Sequence, residues 1–433
     1  MKFSKTTAAT VLSLASGAAA AANETCRPKV DSDQLQADLT TENLMANLEA
    51  LNEIAFANGG NRAFGLPGYA ASVDYVWDRI SSIPATRAWK QDFPATFGQV
   101  VSIDLSIGDE SIYVFGLTYS PSTSEEGITA ELALGPEGAA GCDAANYEGL
   151  DVAGKIERLD AGESVTARFQ QTQIVEERIT QNVFVETEEG DPHNVVMLGA
   201  HLDSVQAGPG INDDGSGTSL LLELFLALTK YRTKNKVRFA WWGAEENGLL
   251  GSKYYCANLP PSDVDDLLVY LNFDMVSKGF FGVADTDGSS HGSVAPAGSD
   301  VVEHIYEAYF AGKGHAVTPA VLTNGSDYAS FWQILNKPFG FLHTGTAVAQ
   351  DPCYHQACDT IENPDPEVIT VNARAAAHMV TVLSLNGTEL IPKTSVNATM
   401  LSHFQTRSLE PDVIWIEELE ALGERHLGCG HDI

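Results

Sequence analysis

The distribution of apolar residues along the chain predicts an α/β fold. Four nearly continuous apolar runs are typical of parallel strands covered on both faces, and they lie at Asn194–Ala200, Val237–Trp242, Leu267–Phe273 and Phe339–His343. Patterns typical of helices lie at Thr41–Ala57, Gly68–Ser82 and Ser216–Lys230. Because strands alternate with helices, we predict a doubly wound, mixed and mostly parallel sheet that is flanked by helices.

The segment from about Trp89 to Arg168 has a different pattern. Short stretches that alternate apolar and polar residues, such as Val100–Ile107 and Ser111–Leu117, are separated by Gly, Pro and acidic turns. We therefore divide the chain into a signal peptide at 1–22, an N-terminal part of the main domain at 23–90, a β-rich insert at 91–168, the larger part of the main domain at 169–395, and a tail at 396–433. The tail is acidic and has one helical stretch, near Ile414–Leu422.

The beginning of the chain predicts secretion. A short basic start, Met1–Lys5, precedes an apolar, alanine-rich run at Thr10–Ala22 that ends in small residues, as in secretory signal peptides. No other stretch is expected to cross a membrane. Four Asn-X-Ser/Thr sequons fit glycosylation during secretion, at Asn23, Asn324, Asn386 and Asn397. We expect an extracellular protein, with the vacuole as the alternative.

Charge and cysteine content restrict the partners and the compartment. The chain has 58 acidic and 25 basic side chains, a formal charge of −33, so its surface repels nucleic acids and anionic membranes. We expect a monomer that binds neither nucleic acids nor membranes. Six cysteines fit an oxidising compartment, and Cys353 and Cys358, which flank a short loop, are the best candidate pair. The other four could pair in three ways or stay partly free: Cys26, Cys142, Cys256 and Cys429.

Ionisable residues follow three of the predicted strands. His201 and Asp203 follow the first, Glu245 and Glu246 follow the second, and Asp274 ends the third. Ligands bind at the carboxyl ends of strands in open α/β sheets, so these side chains are expected in one crevice. Alone, the glutamate pair would be read as a solvated surface pair. Its position directly after a buried strand argues against that interpretation.

The expected set of donors suits a metal. A further histidine, His355, lies in the loop flanked by the candidate cysteine pair, and two histidines with three carboxylates suit zinc, or cobalt or manganese as substitutes. Without cations, so many buried carboxylates would repel one another. Asp203 could accept the second ring N–H of His201. The acidic pair Asp213-Asp214 precedes Gly215-Ser216-Gly217 and could merely cap the following helix.

Five longer motifs resemble a known family. The motifs are Gly199-Ala-His-Leu-Asp-Ser-Val, Gly210-Ile-Asn-Asp-Asp-Gly-Ser-Gly, Trp241-Trp-Gly-Ala-Glu-Glu-Asn-Gly-Leu-Leu-Gly-Ser, Leu271-Asn-Phe-Asp-Met and Cys353-Tyr-His. In these motifs the chain resembles the secreted bacterial double-zinc aminopeptidases, and more so the fungal aminopeptidase Y-type enzymes, over residues 44–390. The resemblance implies a zinc aminopeptidase/phosphorylase-like fold and a metallo-aminopeptidase that acts on peptides with a free N-terminus.

The same resemblance implies a role for each site residue. Asp213 would bridge two zinc ions, with His201 and Asp274 on one ion and Glu246 and His355 on the other. Glu245 would be the general base, Tyr354 would stabilise the oxyanion, and Asp203 would orient His201. It also supports a disulfide between Cys353 and Cys358.

The chain departs from these relatives in the insert. Gly141-Cys142 and Val152-Ala-Gly-Lys155 resemble the start of a protease-associated domain, but much of the remainder is missing and no cysteine occurs between Cys142 and Cys256. We expect a truncated insert in which 121–168 is the least ordered segment.

Three alternatives to a two-zinc aminopeptidase stay open on the sequence. They are a single-zinc glutaminyl cyclase, a non-catalytic binding ectodomain, and a product inactivated by its shortened insert. The number of zinc ions per chain separates the first two from the aminopeptidase.

Overall fold

The computed structural model describes residues 27–394, except for 115, 137–139, 141–142, 150–155 and 159–165. The predicted signal peptide and acidic tail lie outside the described residues, as do Cys26, Cys142 and Cys429. The described α-helices are α1 Ser32–Asp38, α2 Thr41–Ala57, α3 Pro67–Ile80, α4 Gly215–Leu228, α5 Leu250–Asn258, α6 Pro261–Asp266, α7 Ser299–Lys313, α8 Tyr328–Gln333 and α9 Pro366–Leu390.

The described strands belong to one mixed sheet. They are β1 Thr86–Ile107, β2 Glu110–Ile112, β3 Ile128–Leu134, β4 Ile156–Arg158, β5 Thr166–Thr187, β6 Asp191–His201, β7 Asn235–Trp242, β8 Leu267–Phe273, β9 Phe281–Ala284, β10 Val317–Ala320 and β11 Phe339–His343. Their order is β10-β9-β11-β8-β6-β7-β5-β1-β2, and β3 adds to β5 and pairs with β4. Strands β11, β8, β6 and β7 form the parallel centre.

The predicted α/β fold with a mixed, mostly parallel sheet is confirmed. All four apolar runs are strands, and β8 is buried at every residue. Helices cover both faces because strands such as β8 have no polar side that could face water. The leucine-rich helix α4 packs in the largest buried cluster, together with Leu198 of β6 and Leu271 of β8.

The short strands that we predicted for the insert are wrong in length. The expected short strand Val100–Ile107 is the outer part of the 22-residue strand β1. Of the described residues in the second stretch, only Ser111 and Ile112 lie in a strand, β2. Pro94 lies within β1. It is tolerated because β1 bonds to β5 on one side and, among the described strands, meets only β2 on the other side, at its outer end, which leaves Pro94 at an edge.

Strands β1 and β5 form a long antiparallel pair that leaves the central sheet. They pair from Thr86↔Thr187 to Ile107↔Ala167, whereas β5 pairs with β7 only through Val183–Glu186. We call the part beyond this junction, residues 93–107 and 166–180, the β-arm. Because β5 is antiparallel to β7, the β-arm projects past the carboxyl edge of the parallel strands. Its length is about 45 Å at the usual rise per residue.

The limits of the insert remain predictions. Strand β1 continues through the expected boundary at residue 91 without a break, and β3 and β4 extend the sheet beyond the β-arm. The segment 121–168, expected to be the least ordered, lies partly outside the described residues, so that expectation also remains a prediction.

We expected no stretch after the signal peptide to be able to cross a membrane, and one helix shows that this expectation is wrong by length and composition. Among the described residues, α9 is long and apolar enough by length and composition. However, 67% of its apolar window is buried inside the protein, where Ala376 and Val380 belong to the core. Its apolar character therefore agrees with a core helix.

Candidate active site

The ionisable residues singled out in the sequence meet at the carboxyl edge of the parallel strands. His201 at the end of β6 pairs in register with Trp242 at the end of β7, and β8 runs parallel to β6. Asp274 directly follows β8, and Glu245 shortly follows β7. Since parallel strands end at the same edge, these side chains converge there, as expected.

Asp213 lies between two histidines. Its Oδ1 is 3.0 Å from Nε2 of His201, and its Oδ2 is 3.1 Å from Nε2 of His355. The two oxygens of one carboxylate therefore face two different imidazoles. Such an arrangement can hold one cation on each side of Asp213.

Two more carboxylates complete two groups of donors. Glu246 Oε2 is 3.0 Å from Nε2 of His355, and Asp274 Oδ1 is 3.5 Å from Nε2 of His201. One group thus contains His201, Asp213 and Asp274, and the other contains His355, Asp213 and Glu246. The division matches the one that the family resemblance implies.

Two carboxylate oxygens in these groups have no hydrogen-bond donor among the described residues. They are Glu246 Oε1 and Asp274 Oδ1, and both are buried. The other oxygen of Asp274 accepts a hydrogen bond of 2.6 Å from the Ser326 hydroxyl. A buried carboxylate oxygen without a partner is costly, and a bound cation would satisfy it. The donor set therefore fits a metal centre.

Asp203 orients the glutamate pair rather than His201 alone. Its Oδ1 and Oδ2 accept hydrogen bonds from the backbone N–H groups of Glu245 and Glu246, at 3.1 and 3.3 Å. We had expected its carboxylate to accept from the His201 ring. Nδ1 of His201 is instead 3.1 Å from the main-chain oxygen of Asp203, and 3.7 Å from its carboxylate.

Asp214 caps a helix and also braces the site. As the N-cap of α4 it accepts a hydrogen bond of 2.8 Å from the Gly217 N–H, so the capping interpretation holds for this residue. The same carboxylate accepts the N–H groups of His201 and Met275. It therefore ties the ends of β6 and β8 to the start of α4.

Sequence reasoning missed Asp359. Its two oxygens accept hydrogen bonds from the backbone N–H groups of Asn212 and Asp213, at 2.9 and 3.0 Å, which fixes the loop that carries the central carboxylate. Burial raises the pKa of Asp359 to about 7, although these hydrogen bonds oppose the shift. Its only sequence signal was its position directly after Cys358.

Arg62 was also missed. Its side chain is fully buried and donates to the main-chain oxygens of Leu202, Pro209 and Gly210, the second of these at 2.8 Å. It thereby connects the loop after His201 to the loop before Asp213. A single arginine after a Gly-Gly turn carries no spacing pattern, so no sequence signal pointed to it.

The carboxylates and imidazoles shift one another's pKa values. Burial raises the pKa of Glu245 well above its usual value, and the charges of Asp274 and Glu246 add to this effect. Burial alone would lower the pKa of His201, but the nearby carboxylates Glu245 and Asp274 outweigh it and raise that pKa. Glu245 is thus a buried glutamate beside the donor groups, a position suited to accepting and returning a proton.

Tyr354 lies beside the site in a closed loop. The predicted disulfide between Cys353 and Cys358 is present, and the Tyr354 ring stacks on His355 with 3.9 Å between ring centroids. Desolvation and the neighbouring carboxylates, Asp213 first, raise the pKa of the Tyr354 hydroxyl. It therefore keeps its proton and can donate a hydrogen bond.

The remaining predicted modification sites fall in different surroundings. Asn386 is exposed on α9, whereas Asn324 is buried and its side-chain oxygen accepts a hydrogen bond from Gln333. Asn23 and Asn397 lie outside the described residues. Cys256 is a buried free thiol.

Comparisons with known sequences agree with this geometry. Residues 182–380 match the family model described as Peptidase family M28. An aminopeptidase of Pseudomonas aeruginosa (strain UCBPP-PA14) is 33% identical over 438 residues, which covers 80% of this chain and 82% of that protein. Leucine aminopeptidase 2 of Trichophyton tonsurans is 31% identical over 452 residues, covering 86% and 90%.

Solved structures share the fold. An aminopeptidase from Aneurinibacillus sp. strain AM-1 superposes with a TM-score of 0.67 at 23% identity, covering 85% of this chain and 99% of that one. A zinc aminopeptidase from Bacillus subtilis gives 0.63 at 19% identity, covering 83% and 98%.

Proposed function

We propose that this chain, which belongs to peptidase family M28 and is an aminopeptidase, uses two zinc ions to remove the N-terminal residue of peptides. Asp213 would serve both ions in this proposal. His201 and Asp274 would hold one ion, and His355 and Glu246 would hold the other.

The observation that carries the proposal is the position of Asp213. Its two oxygens lie at 3.0 and 3.1 Å from two histidines that belong to separate donor groups. One carboxylate shared by two groups of donors suits two cations better than one. The unpartnered oxygens of Glu246 and Asp274, one in each group, support the same count.

Zinc is the cation that best suits these donors. Imidazole nitrogen and carboxylate oxygen are zinc ligands, and the Bacillus subtilis protein of the same fold is named a zinc aminopeptidase. When bound, zinc lowers the pKa of water and polarises a carbonyl group.

Glu245 is proposed as the general base and Tyr354 as the oxyanion donor. Glu245 takes the proton from the attacking water and returns it to the leaving amine, and its Oε2 lies 3.8 Å from Nε2 of His201, beside the donor groups. The neutral Tyr354 hydroxyl donates to the oxygen of the carbonyl under attack. The acidic surroundings of the site favour a substrate with a free, protonated N-terminus.

Leucine substrates are the first to test, because fungal relatives are named leucine aminopeptidase 2. Metal analysis of the purified protein should give two zinc ions per chain. Leucinamide and N-acetyl-leucinamide form a matched pair that differs only in the free amine. We expect hydrolysis of the first alone, its loss with a chelator and its return with zinc. One zinc ion per chain, or cleavage of the acetylated compound, would contradict the proposal.

We also propose secretion through an oxidising compartment, where the Cys353–Cys358 disulfide would persist. N-terminal sequencing of protein from the culture medium should begin close to residue 23. Mature protein found only in vacuoles would favour the alternative location.

A further inference from the structure

The β-arm and the segment that crosses it, residues 116–124, each reach the rim of the active site at one point. The Asn247 side chain donates a hydrogen bond of 2.7 Å to the hydroxyl of Tyr119, and Asn247 follows Glu246 directly. On the other side, the Gln206 side chain donates 2.6 Å to the main-chain oxygen of Gly98. The loops after β6 and β7 are therefore both bonded to the arm side of the cleft.

Tyr119 is held firmly in this place. Its segment, residues 116–124, crosses the β-arm and is tied to β5, where Gln173 donates 2.6 Å to the Leu117 oxygen and Thr123 donates 3.0 Å to the Gln171 oxygen. Tyr119 itself has a positive φ of 71°. A Cβ on Gly98 would lie 2.7 Å from the Tyr119 ring, so glycine is needed there for the ring to lie against β1.

The Tyr119 ring is only partly covered, with 43% of the residue exposed. Glu245 and Asp274, where the reaction is proposed to occur, are buried. An enzyme that removes one residue encloses that residue and leaves the rest of the peptide outside. The part of the substrate that reaches the rim is therefore the part beyond the cleaved bond.

We propose that Tyr119 is a specificity-determining residue that contacts the second residue of the peptide substrate. The inference rests on the proposed aminopeptidase function and extends it to the part of the substrate beyond the cleaved bond. A flat, rigid ring favours apolar and aromatic side chains at that position. The bond from Asn247 fixes the ring relative to the catalytic loop, so the ring is preorganised before the substrate binds.

The test compares two substrates that differ only beyond the cleaved bond. Leucinamide ends at that bond, and Leu-Phe-amide adds an aromatic second residue. In Tyr119→Ala, the ratio of kcat/KM for Leu-Phe-amide to kcat/KM for leucinamide should fall about tenfold, the effect of one lost aromatic contact. Most of the change should lie in KM. Tyr119→Phe keeps the ring and loses only the hydroxyl, so the ratio should fall less.

Tyr113→Ala is the matched control, because Tyr113 belongs to the same insert and is 82% exposed. It should keep the wild-type ratio. Asn247→Ala releases the ring without changing the insert, and should lower the ratio in the same direction if Tyr119→Ala does not fold. A wild-type ratio in Tyr119→Ala, or an equal fall in Tyr113→Ala, overturns the inference. A wild-type protein inactive on both substrates would overturn the proposed function beneath it.

Discussion

The active site and the β-arm lie at the same edge of the sheet but are held together differently. In the site, buried carboxylates hold the backbone, as Asp203 holds the N–H groups of two successive glutamates. In the β-arm, the hydrogen-bonded ladder between β1 and β5 holds the backbone, and apolar side chains such as Val101 and Ile179 are exposed.

The difference predicts how each region responds to substitution. A side chain removed from the site leaves backbone groups or charges unpaired in a dry environment, which costs several kcal/mol. A side chain removed from the outer β-arm leaves the ladder intact. We therefore expect site residues to be sensitive and β-arm residues to be tolerant. Tyr119, in the segment that crosses the β-arm, should affect only the choice of substrate.

The largest expected effect separates the two adjacent glutamates. Glu245→Gln should keep both zinc ions but lower kcat by about 10³- to 10⁴-fold, since the amide cannot accept the proton. Glu246→Gln should instead lose affinity for the ion that it shares with His355. Metal analysis and steady-state kinetics on leucinamide measure both properties.

Each glutamate variant serves as the control for the other, because both residues donate a backbone hydrogen bond to the carboxylate of Asp203. Equal metal content together with equal residual activity in the two variants would contradict the separate roles.

The next effect concerns stability and compares two arginines. Arg62→Met should lower the free energy of unfolding by about 3–5 kcal/mol, because it leaves buried main-chain oxygens without donors and removes a cation from a cluster of acids. Arg168→Met on the β-arm breaks a partly exposed ion pair with Asp104 and an exposed hydrogen bond to the main-chain oxygen of Glu126, and should cost less than about 1 kcal/mol. Urea unfolding of the zinc-loaded proteins measures both. Similar losses would mean that the two regions do not differ as described.

Sequence patterns predicted the central sheet well for a physical reason. A strand covered on both faces has no polar side, so β8 is apolar along nearly its whole length and is recognisable without its neighbours. The site could be predicted for a related reason. Residues at the ends of such strands are brought together by the sheet itself, whatever their distance along the chain.

The β-arm and the supporting residues could not be predicted in that way. Strand β1 contains Pro94 and Gly98, which usually interrupt strands, and only its long pairing with β5 shows why they are tolerated here. Arg62 acts through backbone oxygens of loops about 140 residues away along the chain. Contacts to backbone atoms place no requirement on the residue type of the partner, so they leave no pattern in the sequence.

A smaller effect is expected for Tyr354→Phe. If the hydroxyl donates mainly to the developing oxyanion, kcat should fall about 10²-fold with little change in KM. The stacked ring remains, so the position of His355 and the zinc content should be retained. Unchanged kcat would remove Tyr354 from the mechanism, and a loss of zinc would make its role structural.

The smallest effect is expected in the outer β-arm, and a pair of variants on one strand measures it. Ile179 and Val183 both belong to β5, but Ile179 lies in the β-arm at 65% exposure, whereas Val183 is fully buried where β5 joins β7. Ile179→Ser should change the free energy of unfolding by less than about 0.5 kcal/mol, because the side chain gives up little buried area and its paired residue, Pro94, remains in the ladder. Val183→Ser should cost about 2–3 kcal/mol, since it removes buried apolar area and adds a hydroxyl to a dry core. Urea unfolding with leucinamide activity as a second readout tests both. If Ile179→Ser is as costly as Val183→Ser, the outer face of the β-arm is packed rather than open, and the contrast between the two regions is wrong at that point.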